Sequence, residues 1–171
     1  MTLQKFIAAI FFQSLFSVVC IGQQKTVLDP SGFYIFTGKT VTKDNDTYGY
    51  FGNAKVLQVG NKHIAVHFFI CKGAPSYNSG SFIDTLTYRD GRAVYRGDGV
   101  SDTTCRLSFH FYKSKFSVQL MSDNINFACG FGHAVDAYGT FRKIGKRKPT
   151  RKQLERDDEV LRPTWALRKS G

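Results

Sequence analysis

Glutamate is missing between Gln23 and Phe141, where all nine acidic residues are aspartates scattered over predicted loops and strand ends. The chain also lacks three common catalytic or nucleotide-binding patterns: Gly-x-Ser-x-Gly, His-Glu-x-x-His and a glycine-rich phosphate loop followed by Lys-Ser/Thr. Gly130 and Gly132 are not followed by the third glycine and the helix that a dinucleotide site requires. The sequence therefore predicts neither catalytic residues nor a cofactor.

Cysteine and histidine are also scarce, with four residues of each. No Cys-x-x-Cys pair or clustered Cys/His spacing, the usual framework of a zinc site, occurs. His63 and His67 lie on one predicted strand, where a rise of about 3.3 Å per residue separates them by roughly 13 Å, too far to share a metal ion. Cys71 is equally far from His67, so a buried free cysteine is a better interpretation than a thiol nucleophile.

The N-terminus carries an apolar run over residues 6–21, preceded by Lys5. Residues 20–22 form a small-x-small cleavage pattern, which predicts a signal peptide over residues 1–22. Export would place the mature chain in the periplasm or outside the cell, with no integral membrane segment after cleavage. A short transmembrane anchor and a lipoprotein acylated at Cys20 remain as alternatives.

Removal of the predicted signal peptide leaves three cysteines, Cys71, Cys105 and Cys129. An odd number in an exported chain indicates one disulfide and one leftover thiol. Cys105 and Cys129 are the predicted pair, because they lie at the start of one strand and just after its hairpin partner. A disulfide across their separation of 24 residues is worth roughly 3 kcal/mol in the chain-entropy model.

Apolar and polar residues alternate near the predicted disulfide, a period of two that is typical of strands with one buried face. The odd positions of residues 105–111 are apolar and the even ones polar or amphipathic, and similar patterns mark residues 115–120 and 63–71. Turn signals such as Asp90-Gly91 separate further strands. We therefore predict an all-β fold over residues 23–143, a single antiparallel barrel or sandwich of seven to nine short strands.

Residues 72–81, KGAPSYNSGS, form one long connection rich in Gly, Pro, Ser and Asn. Such connections are exposed and often carry binding side chains, although a simple linker is an equally good interpretation. Tyr77 is a candidate contact residue, since an exposed aromatic on a polar loop suits recognition. Together with the glycine-containing segment 130–137, this loop predicts a binding surface that consists of Ser76, Tyr77, Asn78, Phe131, His133 and Asp136.

The composition changes at Arg142: from this residue to the end of the sequence, eleven lysines and arginines and four acids carry +7 of the chain's net charge of +11. Residues 144–171 are predicted to be a basic tail, either disordered or containing a short helix that begins at Thr150 and ends near Leu161. Such a tail suits contact with anionic surface polymers. No motif or basic face interleaved with aromatic residues indicates specific nucleic-acid recognition.

The segments GAPSYNSGSFIDTLTYRDGRAVY, CRLSFHF, VQL and CGFGHAVDAYGTFRK resemble a group of small exported bacterial β-domains, over roughly residues 50–143. Their shared ending has the form C-G-x-G … G-[YF]-x-[KR], with a cysteine at the start of the preceding hairpin. The matching residues are Cys105, Cys129, Gly130, Gly132, Gly139, Phe141 and Lys143. The nearest described members are similar to lysozyme inhibitors, so the resemblance implies a domain that protects bacterial cell-wall material by blocking a host hydrolase.

These observations predict a secreted or periplasmic, non-enzymatic binding module for a protein or glycan, which inhibits a cell-wall hydrolase such as lysozyme. Many animal lysozymes are basic, so a local acidic patch would have to offset long-range repulsion. The candidates for this patch are Asp84, Asp98, Asp102 and Asp136. Two alternatives remain: a small-ligand barrel whose lumen is the face of His63 and His67, and a surface protein held on anionic polymer by its tail.

Overall fold

The computed structural model describes residues 28–97, 102–123 and 128–156. The strands in these ranges are β1 (Gly32–Phe36), β2 (Val41–Lys43), β3 (Asp46–Val59), β4 (His63–Gly73), β5 (Ser79–Arg89), β6 (Arg92–Tyr95), β7 (Arg106–Phe111), β8 (Lys115–Met121) and β9 (Gly139–Ile144). They pair antiparallel in the order β1-β9-β8-β7-β6-β5-β4-β3, and β1 also pairs with β3. Eight strands thus close into a barrel, and β2 is added beside β3. The predicted all-β fold is confirmed, in its barrel form.

Alternation along the strands fills the barrel with side chains. The even positions 64–70 of β4 are fully buried and face the interior. Phe68 is surrounded there by other aromatic rings, with centroid distances of 5.5 Å to Phe82, 5.7 Å to Phe109 and 5.3 Å to Phe141. Burial of each such side chain contributes about 1.5–3 kcal/mol, so the lumen of the barrel is the hydrophobic core of the protein.

The opposite face of β4 points away from this core. His63 is exposed, and His67 lies beside Lys55 of β3 on the outer face of the barrel. The interpretation of this face as the lumen of a small-ligand barrel is wrong, because Val66 and Phe68 on the other face occupy the interior.

Cys105 and Cys129 form a disulfide, with their Cα atoms 4.9 Å apart. The bond joins the residue before β7 to a 3₁₀ turn, Ala128–Gly130. Cys71 is free and buried. Both the predicted pairing and the predicted leftover thiol are confirmed. After this turn the chain rejoins the sheet only at Gly139, where β9 begins.

The chain beyond β9 continues into a short helix, α1 (Arg151–Leu154), which packs against β3 and β4. Thr150 is its N-cap: the Thr150 side chain accepts a hydrogen bond from the Gln153 N–H, and the Gln153 side chain accepts one from the Thr150 N–H. The predicted start of the helix at Thr150 is confirmed. The helix ends at Leu154, with Glu155 as its C-cap, so the prediction that it continues to near Leu161 is wrong. Leu161 itself lies outside the described residues.

Arg142 and Lys143 lie on β9, although their composition groups them with the basic tail. Part of the positive charge expected outside the sheet therefore belongs to the barrel itself. The predicted signal peptide, residues 1–22, lies outside the described residues. Within those residues, no helix has the length and apolar character needed to cross a membrane.

Candidate binding surface

The connection between β4 and β5 is a tight turn over residues 74–78, so much of the predicted long loop belongs to the two strands. The Ala74–Pro75 peptide bond is cis. A backbone hydrogen bond from the Tyr77 N–H to the Gly73 carbonyl, 2.9 Å long, closes the turn. Ser76 and Tyr77 are exposed at its tip, as the sequence predicts.

The glycine-containing segment that follows the 3₁₀ turn lies against this β4–β5 turn. The Gly132 N–H donates to the Ser79 carbonyl at 2.9 Å, and the His133 carbonyl accepts from Asn78 Nδ2 at 2.9 Å and from Lys72 Nζ at 3.3 Å. A Cβ at position 132 would lie 3.2 Å from the Ser79 oxygen, so glycine allows the close approach. The two segments thus form one surface, which we call the loop surface, consisting of residues 72–81 and 130–137.

Tyr77 is held at its hydroxyl as well as at its backbone. The hydroxyl donates to Asp46 Oδ1 at 2.9 Å and accepts from the Thr47 N–H at 3.0 Å. The bond from Thr47 lowers the pKa of Tyr77, but the hydrogen bond to Asp46, desolvation and the negative charge of Asp46 together outweigh it and leave the pKa raised. Tyr77 as a whole is 41 % exposed, so it presents an aromatic side chain, fixed at its hydroxyl, to solvent.

Tyr50 of β3 holds the far end of the loop surface. Its hydroxyl accepts from the Asp136 N–H at 3.0 Å and donates to the Ala134 carbonyl at 3.2 Å. The Asp136 and His133 side chains remain exposed. Sequence reasoning missed Tyr50, since nothing in its local pattern indicates a contact with a segment more than 80 residues away.

The prediction that Phe131 contacts a binding partner is wrong. The residue is 4 % exposed and belongs to the hydrophobic core, so it is not accessible to a partner. Its ring lies over Gly80, where an added Cβ would come within 2.2 Å of the ring. Phe131 therefore anchors the segment 130–137 on β5, and only the other predicted residues of the surface are accessible.

Cys71 lies beneath the β4–β5 turn. Its Sγ donates to the Tyr77 carbonyl at 3.5 Å and accepts from the Gly73 N–H at 3.4 Å. Burial raises the pKa of the thiol, more than the Gly73 hydrogen bond lowers it. The residue is therefore a protonated thiol that supports the turn.

The aspartates expected to form an acidic patch have different environments. Asp102 is 8 % exposed, and its carboxylate accepts hydrogen bonds from Thr104 and Ser122, so it does not face a partner. Asp98 lies outside the described residues. Asp136 is exposed on the loop surface, where Asp46 adds a second carboxylate beside Tyr77.

A concavity of about 430 Å³ lies apart from the loop surface, on the outer face of β6, β7, β8 and the start of β9. No sequence signal marks it, because a polar outward face is common to all the strands that form it. We call it the outer groove, and its lining includes Arg92, His110, Ser117, Gln119, Tyr138 and Thr140.

Three or more His, Cys, Asp or Glu side chains do not gather at metal-binding distance anywhere in the described ranges. Comparison with known proteins finds no matching family model, no matching curated protein and no matching solved structure.

Proposed function

We propose that the protein is a non-enzymatic binding module that acts outside the cytoplasm and uses the loop surface to bind and inhibit a cell-wall hydrolase such as lysozyme. One observation carries this proposal. Asn78 and His133, 55 positions apart in sequence, are joined by a hydrogen bond within one surface that presents an exposed tyrosine.

The rigidity of the loop surface supports recognition of a folded partner. A preorganised surface loses less conformational entropy on binding than a mobile loop does. Tyr77 is fixed by the turn at its backbone and by Asp46 and Thr47 at its hydroxyl. Tyrosine is among the residues that most often carry binding energy at protein interfaces, because it buries a large rigid ring at low entropic cost.

The disulfide supports the proposed location. Bonds of this kind persist in oxidising compartments and are rare in the cytosol. The Cys105–Cys129 bond is therefore compatible with the periplasm and with secretion alike.

The experiment is a binding titration of the mature chain against a panel of lysozymes that range from acidic to basic. We expect at least one member to be bound and its hydrolytic activity to be inhibited. Tyr77→Ala should then weaken binding about thirtyfold, the effect of losing a residue worth about 2 kcal/mol at an interface.

Tyr112→Ala is the matched control, because the Tyr112 side chain is 42 % exposed and lies on the outer face of the barrel, away from the β4–β5 turn. It should leave lysozyme binding unchanged. Thermal unfolding of both variants confirms that they fold. The proposal is refuted if no lysozyme binds, or if the two substitutions weaken binding equally.

Adhesion to anionic polymers through the basic tail is the competing function. A truncation cannot test it: Lys55 Nζ is bonded to the Gln153 and Arg156 carbonyls and Leu154 is buried, so the chain has to be kept to Arg156, and residues 157–171 carry three cations and three acids, hence no net charge.

The triple variant Lys146→Gln/Arg147→Gln/Lys152→Gln removes three exposed positive charges instead. If this variant loses all binding to the lysozyme that the unmodified chain binds, the tail and not the loop surface is responsible.

A further inference from the structure

The outer groove is built from aligned positions on neighbouring strands. Arg92 of β6 lies opposite His110 of β7, His110 lies opposite Ser117 of β8, and Ser117 lies opposite Thr140 of β9. Adjacent strands are about 4.8 Å apart, so this row extends roughly 14 Å across the face of the barrel. An extended, polar row of this length is suited to a linear ligand.

The next row along the same face is strongly positive. Lys115 of β8 and Arg142 of β9 lie directly opposite each other, a like-charge pair that destabilises a sheet unless an anion neutralises it. Arg92 adds a third cation within the groove, whose lining includes no carboxylate. The ion pairs found in the described part of the chain involve other cations, such as Arg89, Lys148 and Arg151.

The remaining lining combines one exposed aromatic ring with neutral hydrogen-bonding groups. Tyr138 is 66 % exposed, the highest value among the large hydrophobic residues that are exposed in the described ranges. Ser117 and Thr140 offer hydroxyls and Gln119 an amide, which both donate and accept hydrogen bonds as sugar hydroxyls do. Hydroxyls, an amide, a flat ring and flanking cations together match a sugar chain that carries acidic groups.

We propose that the outer groove binds an acidic glycan, a linear polysaccharide that carries carboxylate or sulfate groups. Arg92, Lys115 and Arg142 bind the anionic groups, and Tyr138 packs against a sugar ring. Single-stranded nucleic acid is the less suitable polyanion, because its binding uses several aromatic rings for successive bases, whereas Tyr138 is the single exposed ring in the lining. This site is separate from the loop surface and does not depend on the hydrolase proposed there.

The test measures binding of the full mature chain to four probes: oligogalacturonate, dextran sulfate, neutral dextran and single-stranded polyuridylate. We expect one or both acidic glycans to bind and neutral dextran not to bind. Binding of oligogalacturonate alone assigns carboxylated glycans to the groove, and binding of dextran sulfate alone assigns sulfated ones.

Variants separate the groove from the general positive charge of the chain. The double variant Arg92→Gln/Arg142→Gln should bind the acidic glycan about tenfold more weakly, the effect of losing two partly exposed ion pairs. Tyr138→Ala should weaken it by a similar factor without any change in charge. Lys43→Gln, an exposed cation on β2, is the matched control and should change affinity less than twofold.

Three results would overturn the proposal. The first is that neither acidic glycan binds. The second is that Tyr138→Ala binds the glycan as tightly as the unmodified protein does, which would mean that only nonspecific charge attraction is involved. The third is that polyuridylate binds at least as tightly as the glycans and that its binding is equally sensitive to Tyr138→Ala.

Discussion

Asp102 lies where the chain before β7, the end of β8 and the disulfide turn meet, and its carboxylate accepts hydrogen bonds from all three. Thr104 donates through its hydroxyl at 2.6 Å and its N–H at 2.9 Å, the Ser122 hydroxyl donates at 2.5 Å, and the Cys129 N–H donates at 3.4 Å. The hydrogen bonds from Ser122 and Thr104 lower the pKa of Asp102 from 3.8 to about 2. Only the ionised form accepts all of these bonds.

The fold is therefore expected to lose stability in acid. Partial burial raises the pKa of Asp29, but hydrogen bonds from Lys148 and Ser31 outweigh it and lower the value to about 2, so two carboxylates are more acidic in the folded chain than in the unfolded one. Their contribution is complete above about pH 4 and is lost as the pH falls towards about 2. The urea concentration at the unfolding midpoint should therefore fall steeply as the pH is lowered from about 4 to about 2.

Asp102→Asn tests the cause of this acid sensitivity. The variant should be less stable at neutral pH, because the amide replaces an acceptor with a donor, and its midpoint should fall less between about pH 4 and pH 2. Asp44→Asn, at an exposed residue outside these hydrogen bonds, should retain the full pH dependence. An unchanged slope in Asp102→Asn would contradict the assignment.

At the scale of residues, the sequence predicted those features that depend on the spacing of residues along the chain. The disulfide was predictable because Cys105 and Cys129 flank one hairpin. The burial of Phe131 was not, because it depends on Gly80, a residue of another strand that leaves space for the ring. The role of Asp102 was hidden for the same reason, since its partners come from three separate segments.

Lys55 of β3 is an outward-facing residue that is buried because the helix α1 covers it. Alternation on β3 places Lys55 outward, between the inward residues Ala54 and Val56, and yet its side chain is fully buried. α1 covers this part of the outer face, and Lys55 Nζ donates to the Gln153 carbonyl at 2.8 Å and the Arg156 carbonyl at 3.0 Å. A cation at the C-terminal end of a helix satisfies carbonyls that have no partner within the helix.

Lys55→Met should lower the free energy of unfolding by about 2–3 kcal/mol, because it removes two charge-assisted hydrogen bonds and leaves two partly buried carbonyls without this partner. Urea denaturation measures the loss. Lys62→Met, at an exposed position in the β3–β4 turn, should stay within about 0.5 kcal/mol of the unmodified protein.

Hydrogen exchange locates the effect of Lys55→Met. Faster exchange should concentrate at the Gln153 and Leu154 amides, which bond to Thr150 within α1. If exchange there is unchanged while stability falls, the side chain stabilises the barrel wall and not the position of the helix.

Among the strands, the sequence predicted those with strongly alternating apolar residues, such as β4, β7 and β8. It did not predict β2 or the first half of β3, where DTYGYFGNA shows no alternating apolar face. Gly52 lies in this part, where an added Cβ would come within 2.4 Å of the Phe69 carbonyl oxygen. A register shift between Tyr48 and Phe51 further interrupts the period of two.

For the whole molecule, the sequence left open whether the sheet is a barrel or a sandwich. Closure depends on β1, which pairs with β9 on one side and with β3 on the other. Such long-range pairing leaves no local pattern, since any strand buried on one face has the same alternation. The loop surface follows from this topology, because the ends of β4, β5 and the segment before β9 meet only after closure.

The overall charge predicts how the protein selects partners through the loop surface. The chain carries +11, or +10 once Lys5 is removed with the predicted signal peptide. Long-range attraction raises the association rate for an acidic partner, and repulsion lowers it for a basic one. Within the panel of lysozymes, acidic members should therefore associate faster than basic ones at low ionic strength.

Stopped-flow association rates at increasing salt concentration check this prediction. The screening length shrinks from about 30 Å at 0.01 M to about 10 Å at 0.1 M salt, so the rate for an acidic lysozyme should fall and that for a basic one should rise. Tyr77→Ala leaves the charge unchanged, so it should increase the dissociation rate and preserve both salt trends. Salt-independent rates for both partner classes would mean that the carboxylates of Asp46 and Asp136 fully offset the positive charge at the loop surface, and that the net charge has no part in selection.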